Sequence, residues 1–581
     1  MQPVDPILLN ILQQRLDVIT EEMGLNMMRT ARSPIFSEAH DFSCFITDAQ
    51  GRLIAQRDGL PIHTGSGGFA VRAVLKEFAG EIHEGDLFIL NDPYLASGNH
   101  LPDWTVINPI FLGGTLTAFS CNRAHQIDIG GNAPGTYNSL AREIFSEGIR
   151  IPPIKLWRRG NEDRDILKLL ANNTRSPEVI EADLRAMIGS TIIGAGRLKD
   201  LSAEMPEAIS YFPSLLDYAE RLMRSEIEKI PDGVYESEEF MNNDCFSDTP
   251  VRIKLTLTIR GSDVVADFRG SSPQIRAFKN SPYANTCAAT FIAISTIVDP
   301  YIPHNEGTYR MVEVRAEEGS IVNCTFPAPV TFCTVYPAHE IIQAVWKALA
   351  QAVPERVSAG WGKPSYPAMM PLPGKDFYVM YHWGGSSGGG AVRGRDGFEQ
   401  MGQMVTLGGL ILPNAELYEQ AYPCRYLKQE FRMDAGGAGE YRGGSGVEYI
   451  VDVTEPAVYS LRGEGLRTKM AFGVAGGEAG LEGSLWVEIA GQRRDLPQYD
   501  MAELPPCRMT VLSPAGGGWG DPLLRDPERV RADVRDGVVS ISEAKRAYGV
   551  VIDERSSEVN VAETEREREN RRRGIAKKQQ I

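Results

Sequence analysis

Residues 91–131 hold two of the chain's eight histidines, His100 and His125, and three aspartates, Asp92, Asp103 and Asp128. Between the histidines lies the signature of a hairpin. Residues 106–112 are mostly apolar, Gly113-Gly114 is a two-residue turn signal because both positions tolerate positive φ, and residues 115–120 return. A uniform ladder about that turn sets Asp103 opposite Ala124 and His125 opposite Pro102. His100, Asp103 and His125 then meet at the open end of the hairpin. Two imidazoles and a carboxylate at one point suit a divalent metal such as zinc or manganese. Strict alternation aims Asp103 and His125 at opposite faces, so the convergence needs residues 100–103 to form a loop. Pro102 favours one, since it cannot donate to a ladder. The same spacing also fits two polar strand ends with hydrogen-bonded histidines.

The elements that must position these residues are legible in outline. Asp5-Pro6 opens a helix, an N-cap acid followed by proline at the first helical position. Leu8, Leu12, Leu16, Ile19, Met23 and Met27 give it one buried face. Residues 40–46 read as a strand, 48–51 as its turn and 52–56 as its return, with Asp41 at the entry. A strand-end acid by itself is most often a structural acceptor. Pro61-Ile62-His63-Thr64-Gly65-Ser66-Gly67-Gly68 precedes a helical stretch at 69–78. Its glycines only loosely match a dinucleotide fingerprint, and no clear strand precedes them, so they read as a helix-start turn. His63 is either a support for metal ligands or a packed loop histidine. Residues 141–147 are polar, with Glu143 and Glu147 on one face if helical. Residues 163–172 and 176–223 are mainly helical, with apolar faces at 188–195 and 215–223.

Pro231-Asp232-Gly233 closes the helical region, and short alternating strands follow at 252–259, 264–268, 311–314 and 320–324, with helices at 284–298 and 338–352. The expected class is α+β, a large multi-lobed mixed fold: a helical, hairpin-rich N-terminal part, then a β-rich, glycine-rich C-terminal part. The change of texture suggests an N-terminal metal-binding lobe at 1–233, a mixed α/β lobe at 234–460 and a β-rich region with a charged tail at 461–581. The glycine runs at 384–390, 434–439 and 515–522 read as tight turns or as places where backbone approaches a ligand or another chain. The GxSxG matches around Ser386 and Ser387 lack a strand–elbow–helix context and are set aside.

Composition narrows the function. The chain has 581 residues, too many for one core. Its formal net charge of −16 argues against nucleic acid as a main partner. Eight cysteines stand singly without a CxxC pair, so no zinc ribbon or redox motif is offered. With no signal peptide recognisable at the N-terminus, they read as reduced thiols of a cytoplasmic protein. No apolar run is long enough to span a bilayer. No GxxxxGK[ST] occurs, so the chain carries no ordinary ATP cradle.

Many ordered stretches together resemble the B subunits of the hydantoinase/oxoprolinase family. They include HDFSC at 40–44, NDPY at 91–94, HLPD at 100–103, HQIDIGG at 125–131, EGIRIPP at 147–153, NNTRSPE at 172–178, DFRGSSPQ at 267–274, DAGGAGEYRGGSG at 434–446 and SPAGGGWGDP at 513–522. The resemblance implies a metal held by Asp41, His100, Asp103 and His125, with zinc, manganese or iron compatible with the mixed ligands. It assigns proton handling to Asp128 and His63 and substrate contact to Asn122, Arg123 and Glu147. Gln126 and Ile127 depart from a commoner family form in which histidine or alanine stands there, and Ala124 from a glycine. The implied activity is the hydrolytic half of an ATP-dependent hydantoinase, 5-oxoprolinase or lactamase. An A-type partner, in a heterotetramer, phosphorylates the cyclic amide, and water at the metal opens it. Two other functions are compatible: the metal-binding subunit of an acetone- or acetophenone-type carboxylase, and a non-catalytic partner whose metal is structural.

Overall fold

The computed structural model describes residues 5–57, 59–95, 98–407 and 411–578. The chain divides into two compact units. The first comprises Met1–Ala348, Met370–Met380 and Val405–Pro413. The second comprises Leu349–Met369, Tyr381–Met404 and Asn414–Ile581.

The first unit is built on a seven-stranded antiparallel sheet. Its strands are β1 (Phe42–Asp48), β2 (Leu53–Arg57), β3 (Leu87–Leu90), β4 (Asp103–Leu112), β5 (Thr115–His125), β6 (Ile154–Arg158) and β7 (Asn161–Glu162), in the order β2-β1-β5-β4-β3-β6-β7. Two long helices cover one face. Pro6–Thr30 is capped by Asp5, whose Oδ1 accepts the Ile7 N–H at 2.9 Å, and it buries Leu9, Leu12, Leu16, Ile19, Met23 and Met27. Pro177–Glu204 lies beside it. A Cβ on Gly194 would fall 2.3 Å from both Met23 Sδ and Ser120 Oγ, so glycine alone permits this approach of helix to helix and sheet. The helix expected across 176–223 is interrupted, ending at Glu204 and restarting at Phe212–Ile227.

On the other face, Ala70, Val71 and Val74 of helix Gly67–Glu77 pack on Phe45, Phe88, Ile107, Phe119 and Cys121. The pleat sorts β5 accordingly. Ser120 and Asn122 turn to the long helices, with Asn122 Nδ2 donating to Met187 O at 2.7 Å, while Phe119 and Cys121 face the short one. Arg123 and His125 continue on that second face.

The hairpin turn falls where expected, with φ of 57° at Gly113 and 79° at Gly114. The uniform ladder does not hold. Leu112 pairs with Thr115 and Phe111 with Leu116, but Ile110 pairs with Ala118. Thr117 is the extra residue of a β-bulge, its hydroxyl donating to Ile110 O at 2.9 Å. Beyond the bulge every pairing is displaced by one, so Asp103 stands opposite His125 rather than Ala124. The expected opposition of Pro102 and His125 is likewise displaced. Asp103 is the first residue of β4, and no loop is needed to bring its side chain round.

A second antiparallel sheet in the same unit joins Gly233–Met241, Val251–Arg260 and Asp263–Asp267, with Val312–Arg315 parallel at its edge. The strand expected at 320–324 is reduced to isolated bridges at Ser320 and Asn323. Residues 141–147 form only a 3-10 turn, Ile144–Ser146.

The second unit carries a five-stranded sheet of Cys424–Phe431, Val447–Val453, Cys507–Leu512, Ser484–Ile489 and Gln492–Asp495, in that spatial order. Its glycine runs pack on one another rather than serving as isolated turns. Gly444 N donates to Gly389 O, Gly516 N to Gly444 O and Gly437 N to Gly516 O, each at 2.9 Å. Gly517 N donates to Gly360 O at 2.8 Å. Buried amides thereby find partners without a regular sheet. The charged tail forms a helix, Val561–Lys578.

Candidate metal centre

Three residues form a row across the end of the first sheet. Asp41 immediately precedes β1, and its carbonyl accepts the His125 N–H at 3.1 Å. His125 ends β5, and its cross-strand neighbour Asp103 begins β4. Parity places Asp41 on the same face as Ser43 and Phe45, and therefore as Arg123 and His125. His100 joins from the short loop before β4. Ligand atoms of His100, Asp103 and His125 all lie within 4.8 Å of one another, and the three side chains are buried. Asp41 reaches the group through His63, whose Nε2 is 3.8 Å from Asp41 Oδ1 and 3.2 Å from Asp103 Oδ2.

The hydrogen bonds select which nitrogen of each imidazole points inward. His100 Nδ1 faces the Thr331 carbonyl at 2.5 Å, so it is the donor, and Nε2 faces Asp103 Oδ1 at 2.7 Å. His125 Nε2 is fixed by Thr136 Oγ1 at 3.1 Å, leaving Nδ1 3.3 Å from both Asp103 Oδ1 and His100 Nε2. Tyr137 stacks on His125, ring centroids 5.7 Å apart, and restrains its tilt.

Burial and the facing Asp103 and histidine charges govern the electrostatics of the cluster. Burial opposes charge on His100, but the Asp103 carboxylate outweighs it and raises the imidazole above its ordinary range. Burial also acts to raise Asp103, but the facing His100 and His63 hold its carboxyl well below the usual range. Burial lowers His125. His100 Nε2, which faces Asp103 Oδ1 at 2.7 Å, lies on the side of the ring where a cation would sit. Asp103 Oδ2 is buried and accepts no hydrogen bond. Its nearest basic neighbour is His63 Nε2 at 3.2 Å, and a bound cation would complete its coordination. The donor set of two neutral-capable imidazole nitrogens and a carboxylate fits a divalent ion of the zinc or manganese type.

The remaining residues singled out in the sequence fall around this cluster at different depths. His63 touches it directly; its Nδ1 lies 3.3 Å from Ser43 Oγ, which accepts the Leu60 N–H at 2.8 Å. Arg123 is fully buried and braces the His63 turn, donating from Nη1 to His63 O at 3.0 Å and to Ser66 Oγ, and from Nε to Thr105 Oγ1 at 2.8 Å. Burial pulls its guanidinium down to about 10. Asn122 faces the long helices, away from the cluster. Both Asp128 oxygens are engaged, by the backbone N–H groups of Gly130, Gly135 and Arg175 and by Arg175 Nη1 at 3.1 Å. Glu147 lies one layer out, with its oxygens on the Val330 and Thr331 amides. Sequence reasoning missed Thr331, Thr136, Ser43 and Tyr137. Nothing in the sequence marks Thr331, which lies 231 positions from the ring it holds.

Burial pushes the Glu147 carboxyl up to about 7 from an ordinary 4.5. The folded chain therefore keeps this proton where the unfolded chain has released it. The stability Glu147 contributes is complete below about pH 4.5 and is lost as pH rises through about 7. The difference in unfolding free energy between metal-free wild type and Glu147→Gln should fall by up to about 3 kcal/mol from pH 4.5 to pH 8. Chemical denaturation after chelation reads it directly, and a pH-independent difference contradicts the assignment.

Fold and site define a large α+β protein with a buried two-histidine, one-aspartate centre suited to a divalent cation. The chain belongs to the hydantoinase B/oxoprolinase family, whose model matches residues 5–522. It is 35% identical to the caprolactamase beta subunit of Pseudomonas jessenii, over 95% of this chain and 97% of that one. It is 30% identical to a putative D-/L-hydantoinase B subunit of Pseudomonas sp. (strain NS671), over 97% and 98% of the two. The crystal structure of the ATP-dependent caprolactamase from Pseudomonas jessenii superposes with a TM-score of 0.87 at 33% identity, covering 97% of this chain and 99% of that one. An acetone carboxylase structure shares the fold, with a TM-score of 0.89 at 21% identity, covering 99% of this chain and 84% of that one.

Proposed function

We propose that this chain is the metal-dependent hydrolytic subunit of an ATP-dependent enzyme that opens a cyclic amide of the hydantoin, 5-oxoproline or lactam type. The observation that carries the reading is the buried meeting of His100, Asp103 and His125 beside His63 and Asp41, in a chain whose relatives include a caprolactamase beta subunit and a hydantoinase B subunit. The partner is an A-type subunit that binds ATP and phosphorylates the amide oxygen. An unstrained amide resists water, and phosphorylation makes its carbon electrophilic.

His100 through Nε2, His125 through Nδ1 and the Asp103 carboxylate would hold the ion, with Asp41 completing the set. When bound, the ion supplies Lewis acidity and lowers the pKa of an adjacent water towards neutrality. The chain's own residues do the rest. Thr331 O and Thr136 Oγ1 hold the two imidazoles in the ligating orientation. His63 Nε2, between Asp103 and Asp41, is placed to take a proton from the attacking water and return it to the leaving nitrogen. Arg123 keeps the His63 turn in place, and Asp128 shapes the loop that carries Thr136. Proton transfer therefore falls to His63 rather than Asp128. No helix among the described residues is long and apolar enough to cross a membrane; in this reading the chain works in the cytoplasm, where ATP is supplied, in a heterotetramer with its A-type partner.

The test is a panel of hydantoins, 5-oxoproline and larger lactams, supplied with ATP to the chain co-purified with its partner. Stoichiometric ring opening and ATP hydrolysis support the reading. ATP turnover that depends on bicarbonate and a ketone instead moves the chain to the carboxylase branch. The chain alone should turn over no ATP, since it has no phosphate loop of the GxxxxGK[ST] form. Robust ATPase activity from the isolated chain contradicts the division of labour.

A further inference from the structure

We infer that Glu147 is a positioning residue of the metal centre: its carboxylate clamps two consecutive amides so that the next carbonyl holds His100 in its ligating orientation. The inference rests on the metal reading above and deepens it. Glu147 is 2% exposed. Its Oε2 accepts the Val330 N–H at 2.9 Å and its Oε1 the Thr331 N–H at 2.8 Å. The Thr331 carbonyl accepts His100 Nδ1–H at 2.5 Å. The chain of contacts thus runs from a buried carboxylate, through one peptide segment, to the face of His100 opposite the cluster.

Two features make this a clamp and not a chance contact. Val330 and Thr331 lie outside any strand, so their amides have a side-chain acceptor in place of a ladder. Without the carboxylate, two buried donors lose their partners together, and the segment must shift to find others. Glu147 itself is held from behind. Its N–H donates to Ile144 O at 3.0 Å, and Asn132 N donates to Ser146 O at 3.0 Å. Gly131, at φ +80°, lies so close that a Cβ there would fall 2.7 Å from the Glu147 carbonyl carbon. Each oxygen already accepts one backbone N–H, so the contact Glu147 makes in the structure is to the 330–331 segment. Ligating histidines are oriented by the group on their second nitrogen, and loss of such support weakens metal affinity about 10–100-fold.

The experiment measures zinc and manganese affinity by competition with a chromophoric chelator in wild type, Glu147→Ala and Glu147→Gln, with the partner subunit present. It is paired with the far-downfield resonance of the His100 Nδ1 proton, assigned by its loss in His100→Ala. Glu147→Ala should weaken binding about 10–100-fold and shift or broaden that resonance. Glu147→Gln, which keeps one acceptor oxygen, should weaken it about tenfold and serves if the alanine variant does not fold. Unchanged affinity together with an unchanged resonance overturns the clamp and leaves Glu147 a stabiliser of the fold alone. If wild type takes up no metal, the metal reading fails on its own, and the resonance in the metal-free chain still decides whether Glu147 holds His100.

Discussion

Replacing His100 by alanine should remove bound metal and ATP-dependent ring opening together, while the chain stays folded. Elemental analysis of wild type with its partner should give about one zinc or manganese per chain, falling to background in the variant. On the proposed mechanism, turnover should drop at least about a thousandfold, because the Lewis acid and the water it would activate are lost together. The fold should survive because neighbouring elements are tied independently of the imidazole. Asn91 Nδ2 holds the Leu101 carbonyl at 2.7 Å and the Ile149 carbonyl at 2.9 Å, and its Oδ1 accepts the Ile151 N–H at 2.6 Å. A metal that merely stapled the fold would give the opposite pattern: unfolding on chelation. Asp103→Ala separates the two in the same way. It should lose metal and turnover with little change in circular dichroism. Full activity in a metal-free complex would overturn the centre while leaving family membership intact.

Substituting alanine at Gly516 should cost about 3–5 kcal/mol or abolish soluble expression. A Cβ there would stand 1.9 Å from the Gly389 carbonyl oxygen, and Gly389 is backbone that cannot swing aside. Gly444 and Gly390 are in the same position. A Cβ on either would stand 1.9 Å from a carbonyl oxygen, that of Phe398 and of Ala359 respectively. The reason is space and not backbone conformation, since Gly516 has no positive φ. Forcing the segments apart also breaks the bonds from Gly516 N to Gly444 O and from Gly437 N to Gly516 O, leaving buried donors unpaired. Gly196→Ala is the control. It lies in helix Pro177–Glu204 with nothing within 4 Å of the added carbon, and should stabilise by about 0.5–1 kcal/mol through helix propensity. Thermal or urea unfolding of the two variants reads the contrast; equal effects would show that the glycine layers tolerate side chains.

The helices and hairpins nearest the site were legible because each rests on local physics. Asp5-Pro6 caps its helix through a bond two residues away, and Gly113-Gly114 turns β4 into β5 because both residues take positive φ. The glycine runs were legible as places needing glycine, but not as partners of one another. Their contacts join residues such as Gly389, Gly444 and Gly516, and no period in the sequence links these. The texture change at 234 marks where helices give way to a second sheet inside the first unit.

By itself the sequence determined which residue types gather at the end of the hairpin, since a turn of fixed position brings residues near 100 and 125 together whatever the register. Tertiary structure decided how they meet. The bulge at Thr117 moves the register by one, and because side chains alternate with period two, that single residue turns Asp103 from the face opposite His125 to the same face. It likewise decided which nitrogen of each imidazole faces inward, through Thr331 and Thr136, and brought His63 alongside from a separate turn braced by Arg123. Those contacts are set by packing between elements distant in sequence, where neither propensity nor spacing has a hold.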